Sequence, residues 1–340
     1  MNIPKTADAI MGKGASVSVE CPRGPKPAAP TVGPTFQSVV QPPAARDPRL
    51  AQLGESYPFE THYLDVIGGR MHYVDEGNGP AVVMLHGNPT WSFYYRELIK
   101  GLRDRYRVIA PDHIGCGLSD KPQDYPYTLS THIDNVERLI DHLELKEVTL
   151  AVHDWGGPIG FGWAARHPQR VRGFIVFNTA AFLGGRIPFR IRVCRWPIFG
   201  DIAVRGLNAF ARAAIHMACC KRERMTPEVK RGYLLPYDSV ANRVAILCFV
   251  RDIPLSPRIP SYAVLKQIEA ALPQFRDRPM VILWGMKDFC FTDRFLEEWV
   301  ARFPQAAVHR FADAGHYVVE DAHERILPLL RKKKVSGRIL

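Results

Sequence analysis

Short apolar runs alternate with longer helical stretches along most of the chain, and this rhythm constrains the fold most strongly. The runs have the length of buried strands and comprise AVVML (81–85), RVIA (107–110), VTLAV (148–152), GFIVF (173–177), MVILW (280–284) and AVHRF (307–311). Because strands that alternate with helices usually form a mostly parallel sheet, the pattern predicts an α/β fold with helices on both faces. THYLDV and GRMHYVDEG, joined at Gly68-Gly69, predict a hairpin before this sheet.

The alternation of apolar runs and helical stretches is absent in three places, which divides the chain into five predicted segments. Residues 1–54 are rich in Pro, Ala, Gly and Ser, so we expect a disordered arm that buries too little surface to offset its ordering entropy. Residues 183–272 contain basic helical stretches punctuated by proline, which predict a helical cap inserted between two parts of one core, 55–182 and 273–331. A basic tail, 332–340, follows.

The formal net charge of +11 is concentrated in two places. Residues 186–231 hold eleven Lys and Arg against three acids, and the last ten residues hold five and no acid. No recognition motif accompanies this charge, so we expect no nucleic-acid binding. An acidic partner protein or an anionic membrane surface fits such local charge, and so does a surface that only aids solubility.

The cell compartment is predicted from three further features. The N-terminus lacks a basic start followed by an apolar stretch, so a secretion signal is not expected. None of the apolar runs reaches the roughly 20 residues of a membrane-spanning helix. The seven scattered cysteines predict reduced thiols. We therefore expect a cytoplasmic protein, and a position at the membrane surface or in a multi-enzyme assembly stays open.

An aspartate stands where a nucleophile elbow would place serine. VTLAV ends two residues before Asp154, and Trp155 and two glycines follow, which indicates a sharp strand-to-helix turn. A carboxylate with an ordinary pKa near 4 is already charged at neutral pH and can attack a saturated carbon, forming an ester on the enzyme. The alternative is a simple helix N-cap. We predict that Asp154 is the nucleophile.

Two groups near Asp154 can hold a leaving anion. LHGNPTW (85–91) follows an apolar strand, where such a loop supplies backbone N–H groups for a developing negative charge. Asn88 can add a side-chain N–H and Trp155 an indole N–H. An ordinary strand-to-helix turn with a capping Asn is the alternative. We predict an anion site at Asn88 and Trp155.

A histidine and a second acid complete the predicted catalytic group. His316 lies in the Gly-containing loop DAGHYVVED after the last predicted strand. Asp288 follows the preceding strand and is the preferred orienting acid, with Asp313 and Asp293 as rivals. No histidine pair has metal-ligand spacing and no glycine-rich phosphate loop is present, so neither a metal nor another cofactor is expected.

These motifs together resemble the haloalkane dehalogenase branch of the α/β-hydrolase superfamily. HGNPTWS, PDHIGCGLSDKP, VHDWGG and DAGHYVVED carry the resemblance, which covers the chain from about Tyr57 to Leu330. It implies the α/β-hydrolase fold, Asp154 as nucleophile, His316 as base, Asp288 as acid and a halide-type site at Asn88 and Trp155.

A narrower resemblance is to the β-lactone decarboxylases of bacterial long-chain olefin biosynthesis. It is carried by RGLNAFARAA, YLLPYDSVANRVAILCFVRDIPL and NTAAF. It implies conversion of a long-chain cis-dialkyl β-lactone to a cis-alkene and CO2, and assembly with the pathway's β-lactone synthetase. A hydrolytic haloalkane dehalogenase and a non-catalytic α/β-hydrolase-fold binding protein are the alternatives.

The cap sequence DIAVRGLNAFARAAIHM (201–217) places five apolar residues near one face of a predicted helix. This face could line an alkyl channel, or it could only pack against the core. The residues concerned are Ile202, Leu207, Phe210, Ala214 and Ile215.

Overall fold

A computed structural model describes residues 47–184 and 187–332 of the protein. Within these ranges eight strands form one sheet in the order β1-β2-β4-β3-β5-β6-β7-β8. The strands are β1 His62–Val66, β2 Gly69–Glu76, β3 Ala81–Leu85, β4 Arg107–Pro111, β5 Val148–Asp154, β6 Val171–Thr179, β7 Met280–Gly285 and β8 Ala307–Phe311. The hairpin strand β2 pairs antiparallel with β1 and β4, and β3 to β8 pair in parallel. The predicted α/β fold with a mostly parallel sheet is confirmed.

Ten α-helices connect and cover the strands in the described part of the chain. They are α1 Arg96–Leu102, α2 Leu129–His142, α3 Gly156–Arg166, α4 Phe189–Val193, α5 Ala209–Met217, α6 Pro227–Leu234, α7 Val244–Asp252, α8 Pro260–Ala271, α9 Asp293–Arg302 and α10 Val318–Arg331. Helices α4 to α8 lie between β6 and β7 in the chain, where the sequence predicts the cap. None of the described helices is long and apolar enough to span a bilayer.

The core lies on both faces of the sheet because successive side chains of a strand point to opposite sides. On β3, Val83 and Leu85 belong to one buried cluster, and Val82 and Met84 belong to another. Every residue of this strand is buried. The continuous apolar runs of the sequence therefore correspond to strands that are covered by helices on both sides.

Helix α6 and the residue that follows α5 are joined to the core by three hydrogen bonds. The Trp91 indole N–H donates to the carbonyl oxygen of Gly232 on α6 at 3.0 Å. The Tyr233 hydroxyl donates to Glu320 of α10 at 2.6 Å, and the Tyr317 N–H donates to the Ala218 carbonyl after α5 at 2.8 Å. These bonds fix the helical segment over the carboxyl ends of the strands.

The predicted disordered arm, 1–54, is wrong at its C-terminal end. Residues Pro48–Ser56 form a 3-10 helix that Asp47 caps, and Leu50 and Leu53 are buried in the core. Burial of these two leucines, which lie three residues apart, and the Asp47 cap both favour the ordered form of this segment. Residues 1–46 of the arm and 333–340 of the basic tail lie outside the described residues.

The continuous amphipathic helix expected over 201–217 is also wrong. A π-helix at Asp201–Gly206 ends before Asn208, which has a positive φ of 54°, and α5 begins only after it. This break turns Ile202 and Leu207 toward solvent, where they are 59% and 66% exposed.

The cysteines differ in one respect from the expectation of reduced thiols. Cys248 is disulfide-bonded, so that expectation is wrong for this residue. Free thiols are present at Cys116, Cys194, Cys219, Cys220 and Cys290.

Candidate active site

The predicted site residues meet at the carboxyl edge of the parallel strands, where α/β sheets bind ligands. Asn88 lies three residues after β3, and Asp154 is the last residue of β5. Asp288 follows β7 by three residues, and His316 follows β8 by five. Because these strands run in parallel, four loops that are distant in sequence converge on one place.

Asp154 occupies a sharp turn between β5 and α3. Its φ is +50°, a left-handed conformation that is uncommon outside glycine. Close packing around the turn requires glycine at two positions. A Cβ on Gly156 would lie 1.9 Å from the Leu85 carbonyl oxygen, and a Cβ on Gly87 would lie 2.1 Å from Oδ1 of Asp154 itself. The backbone of the turn therefore holds the carboxylate out over the sheet edge.

The Asp154 carboxylate is held by backbone donors on one side and faces a histidine on the other. The Asn88 N–H donates to Oδ1 at 2.7 Å, and the Trp155 N–H also stabilises the charge. Oδ2 lies 3.8 Å from His316 Nε2. Burial raises the pKa of Asp154 above its ordinary value, although His316 and the two N–H groups oppose this shift. The assumption of an ordinary pKa is therefore wrong.

His316 lies between two carboxylates. Its Nδ1 is 2.8 Å from Asp288 Oδ2, and the other oxygen of Asp288 accepts the Cys290 N–H at 2.6 Å. Burial lowers the pKa of His316, but the Asp288 carboxylate and then that of Asp154 outweigh it, so the pKa lies above its ordinary value. A protonated His316 can neutralise the charge of the Asp154 carboxylate beside it.

The structure separates Asp288 from its two rivals. Asp313 pairs at the surface with Arg325 at 2.7 Å and with Lys221 at 3.2 Å. Asp293 is in the first turn of α9, where its Oδ1 accepts the N–H of Arg294. Of the three acids, Asp288 is the one that hydrogen-bonds to His316.

Asn88 and Trp155 both line the space above Asp154. The Asn88 amide nitrogen donates one hydrogen to the Ile246 carbonyl at 3.1 Å, which leaves its second N–H available. Trp155 is 8% exposed, and its ring packs against Phe249 with centroids 5.2 Å apart. The placement is compatible with the predicted anion site, and that role stays a prediction.

Two apolar cavities meet at Asp154, and no sequence pattern indicates them. The larger has a volume of about 320 Å³ and the smaller about 140 Å³. Both are lined by Asp154, Trp155, Ile191, Ile253 and Cys290. The smaller cavity is also lined by Ala180, Phe182, Leu265, Phe291 and Phe295, and the larger by Phe189, Phe199, Phe210, Ala214 and Met217.

Two of the five residues that the sequence predicts for an alkyl channel line a cavity, and the other three do not. Phe210 and Ala214 line the larger cavity. Ile215 is instead buried in a core cluster, and Ile202 and Leu207 face solvent. The hydrophobic face of a predicted helix did not distinguish these environments because the chain breaks at Asn208.

One group of side chains in the described ranges has distances that would suit a metal ion, namely Asp288, Cys290 and His316. Burial raises the pKa of the Cys290 thiol well above its ordinary value, so the group that binds metals, the thiolate, is disfavoured. Asp288 is already bonded to His316. We interpret the group as an acid–histidine pair, and the absence of a metal stays a prediction.

Comparison with known proteins gives the same fold and two kinds of relative. The family model described as the alpha/beta hydrolase fold matches residues 80–199. The cis-3-alkyl-4-alkyloxetan-2-one decarboxylase of Shewanella oneidensis is 47% identical over 276 residues, covering 79% of this chain and 86% of the relative. That of Xanthomonas campestris pv. campestris is 45% identical over 289 residues, covering 81% and 96%.

A solved haloalkane dehalogenase is similar in structure. The crystal structure of DatA from Agrobacterium tumefaciens C58 has a TM-score of 0.73 and 30% sequence identity. It covers 82% of this chain and 97% of that one.

The contact between Asp288 and His316 predicts a change in histidine titration. In Asp288→Asn, we expect the pKa of His316 to fall, because the carboxylate that opposes the effect of burial is lost. His316 should then release its proton at lower pH than in the parent protein. The measurement is an NMR titration of the histidine rings, with the His316 signal assigned from its absence in His316→Gln.

Asp313→Asn provides the matched control. Since Asp313 is paired with Arg325 at the surface, this variant should leave the pKa of His316 unchanged. A fall of the His316 pKa in Asp313→Asn, with none in Asp288→Asn, would show that the wrong acid has been assigned.

Proposed function

Because the chain belongs to the haloalkane dehalogenase-like family of α/β hydrolases, we propose that it decarboxylates a cis-3-alkyl-4-alkyl-oxetan-2-one, a β-lactone, to a cis-alkene and CO2. The observation that carries this proposal is the meeting of two apolar cavities at Asp154. A substrate with two alkyl groups on adjacent ring carbons needs two apolar spaces on either side of the reacting atoms. The similarity to two proteins named decarboxylases supports the same function.

In the first step, Asp154 opens the ring. Oδ1 is held by the Asn88 N–H, so Oδ2 is the oxygen that attacks the ring carbon bearing oxygen. The bond between that carbon and the ring oxygen breaks, and its electron pair leaves with the released carboxylate. The side-chain N–H groups of Asn88 and Trp155 stabilise this anion. The product of the step is an alkyl ester on Asp154 with a carboxylate on the neighbouring carbon.

In the second step, the ester collapses without water. The bond to the carboxylate breaks, CO2 leaves, and the electron pair forms the double bond between the two former ring carbons. The bond to Asp154 breaks at the same time and restores its carboxylate. Inversion in the first step followed by anti elimination gives a cis-alkene from a cis-lactone. Protonated His316, beside Oδ2, stabilises Asp154 as the leaving group.

The surroundings of the site favour this outcome over hydrolysis. A hydrolase of this arrangement would use His316 to activate a water molecule against the ester. In the protein, the ester would lie between two cavities with predominantly apolar linings. Alkyl chains that fill both cavities leave little room for a water molecule beside Asp154.

The localised charge supports two partners, an anionic membrane and the β-lactone synthetase that supplies the substrate. A lactone with two long alkyl chains is poorly soluble, so transfer without passage through water is an advantage. The described part of residues 186–231 includes exposed Arg192 and Arg212. Attraction by exposed charges of this kind is screened over a Debye length of about 8 Å at physiological salt.

The first experiment tests the activity and its nucleophile. We expect the purified protein to convert a cis-dialkyl β-lactone to a cis-alkene and CO2, measured by gas chromatography. Asp154→Asn should retain its fold and lose turnover, because an amide keeps the shape but lacks the anionic oxygen. Thermal melting provides the control for folding.

Short haloalkanes are assayed in parallel for halide release. Halide release without alkene formation would replace the proposal with a hydrolytic dehalogenase. Turnover of the lactone by folded Asp154→Asn near the parent rate would exclude covalent attack by this residue.

The second experiment tests the anion site. Removal of one preorganised donor typically costs roughly 2.7–4 kcal/mol, or on the order of 100- to 1000-fold in rate. We expect losses of this size in Trp155→Phe, which keeps most of the packing against Phe249, and in Asn88→Ala. Lactone turnover is the readout. Nearly full activity in both variants would contradict a role in holding the released carboxylate.

The third experiment assigns one alkyl chain to each cavity. Ala180→Phe narrows the smaller cavity and Ala214→Phe the larger, and neither alanine lines the other cavity. The substrates are two cis-lactones, each with one long chain and one methyl group, in the two possible arrangements on the ring. We expect each variant to lose kcat/KM on one of these lactones and to retain it on the other.

The two variants control for one another because each makes the same substitution, Ala→Phe, in a different cavity. A general folding defect would lower the activity on both lactones. Their substrate preferences should be opposite. Equal losses on both lactones in both variants would show that the chains are not divided between the two cavities.

A further inference from the structure

We propose that the surface formed by residues 189–207 inserts into an anionic lipid bilayer and takes the apolar substrate from it directly into the two cavities. We call this surface the cap rim. The inference rests on the proposed function only for the apolar nature of the substrate.

The cap rim exposes an unusual number of large apolar side chains. Six of the nine most exposed large hydrophobic residues in the described part of the chain lie within these nineteen positions. They are Phe189 (65% exposed), Trp196 (54%), Ile198 (68%), Phe199 (48%), Ile202 (59%) and Leu207 (66%). Single exposed hydrophobic residues are ordinary, but a concentration of them marks a binding surface.

Exposed residues of the cap rim, and Leu255 outside it, also line the cavities. Phe189 and Phe199 are largely exposed and yet line the larger cavity. Leu255, which is 42% exposed, lines the smaller one. Ile191 lines both. An apolar molecule that leaves a bilayer at this surface would therefore enter the cavities without crossing water.

The charges on the cap rim favour lipid over a purely apolar partner. In the cap rim, Arg190 and Arg192 are exposed and alternate with apolar residues in α4, and Arg212, which lies outside the rim on α5, is also exposed. Within the described ranges, no acidic side chain forms an ion pair with these three arginines. Apolar side chains that insert between lipids, surrounded by arginines at the level of the headgroups, are typical of interfacial membrane binding.

The backbone holds one apolar side chain at the cap rim in an unfavourable conformation. Ile198 has a φ of +65°, which is a genuine outlier for a β-branched residue. Its own side chain is two-thirds exposed, so burial in the protein does not compensate for this conformation. Insertion of Ile198 into lipid would bury it, which gives a physical reason for this turn.

Co-sedimentation with vesicles tests the proposal. The protein is the full chain, and the vesicles contain either phosphatidylcholine alone or an equal mixture with phosphatidylglycerol. We expect binding to the mixed vesicles. A variant with Trp196→Ser, Ile198→Asn, Ile202→Gln and Leu207→Gln should bind at least about 100-fold more weakly, since four apolar side chains no longer insert. Arg192→Gln and Arg212→Gln should each weaken binding about fivefold, and more salt should weaken it further.

Two controls separate lipid binding from folding and from catalysis. Ile67→Gln removes an exposed apolar residue on the hairpin, outside the cap rim, and should bind as the parent does. The four substituted residues line neither cavity. We therefore expect their variant to keep its melting temperature and its activity on detergent-dispersed lactone, and to lose activity on lactone supplied in vesicles.

The outcomes distinguish this inference from the proposed function. Parent-like vesicle binding by the four-residue variant would overturn the inference, as would loss of binding to the β-lactone synthetase in that variant with vesicle binding intact. An inactive parent protein on detergent-dispersed lactone would overturn the proposed function and leave the vesicle result as an independent test of the cap rim.

Discussion

The left-handed backbone of Asp154 is the constraint on which the site depends. A residue at φ +50° can reverse the chain from strand to helix within one position, and its side chain then stands at the carboxyl edge of the sheet. This conformation requires neighbours without side chains. Gly157 illustrates the point, because a Cβ there would lie 1.9 Å from the Thr179 hydroxyl oxygen, the same hydroxyl that donates to the Asp154 carbonyl. The packing of β5, α3 and β6 thus determines where the carboxylate lies.

Burial and the neighbouring charges have opposite effects on the pKa values of Asp154 and of His316, which lies between Asp154 and Asp288. Asp154 and His316 have little contact with water, which alone would favour their neutral forms. A cation between two anions reverses this preference for His316 and limits it for Asp154. His153 contrasts with them. It is fully buried, burial lowers its pKa well below the ordinary value, and it contributes a neutral ring that stacks on Tyr94. Proximity of a histidine to the site is therefore not sufficient for a charged role.

Much of the fold and the positions of the candidate site could be predicted from the sequence because they depend on local signals. The apolar runs are strands because each is continuous and short, and the position of Asp288 just after such a run favours it over Asp313 as the acid. The raised pKa of Asp154 could not be predicted, because burial depends on helices far away in sequence. The two cavities likewise arise from segments that only the tertiary structure brings together. The helix predicted over 201–217 is interrupted because the backbone at Asn208 is left-handed. Residues 48–56 are ordered, although the composition of residues 1–54 is typical of disorder, and two of their leucines are buried.

The two cavities share part of their lining, and this affects how the protein recognises its substrate. Both cavities are lined by Asp154, Trp155, Ile191, Ile253 and Cys290. An alkyl chain in one cavity that displaces these side chains would therefore change how well a chain fits in the other cavity. Contributions of neighbouring contacts to binding are generally not additive. The preference for one alkyl chain should therefore depend on the length of its companion. Selectivity would then depend on the combination of the two alkyl chains. A series of substrates in which only one chain varies in length would not reveal this dependence.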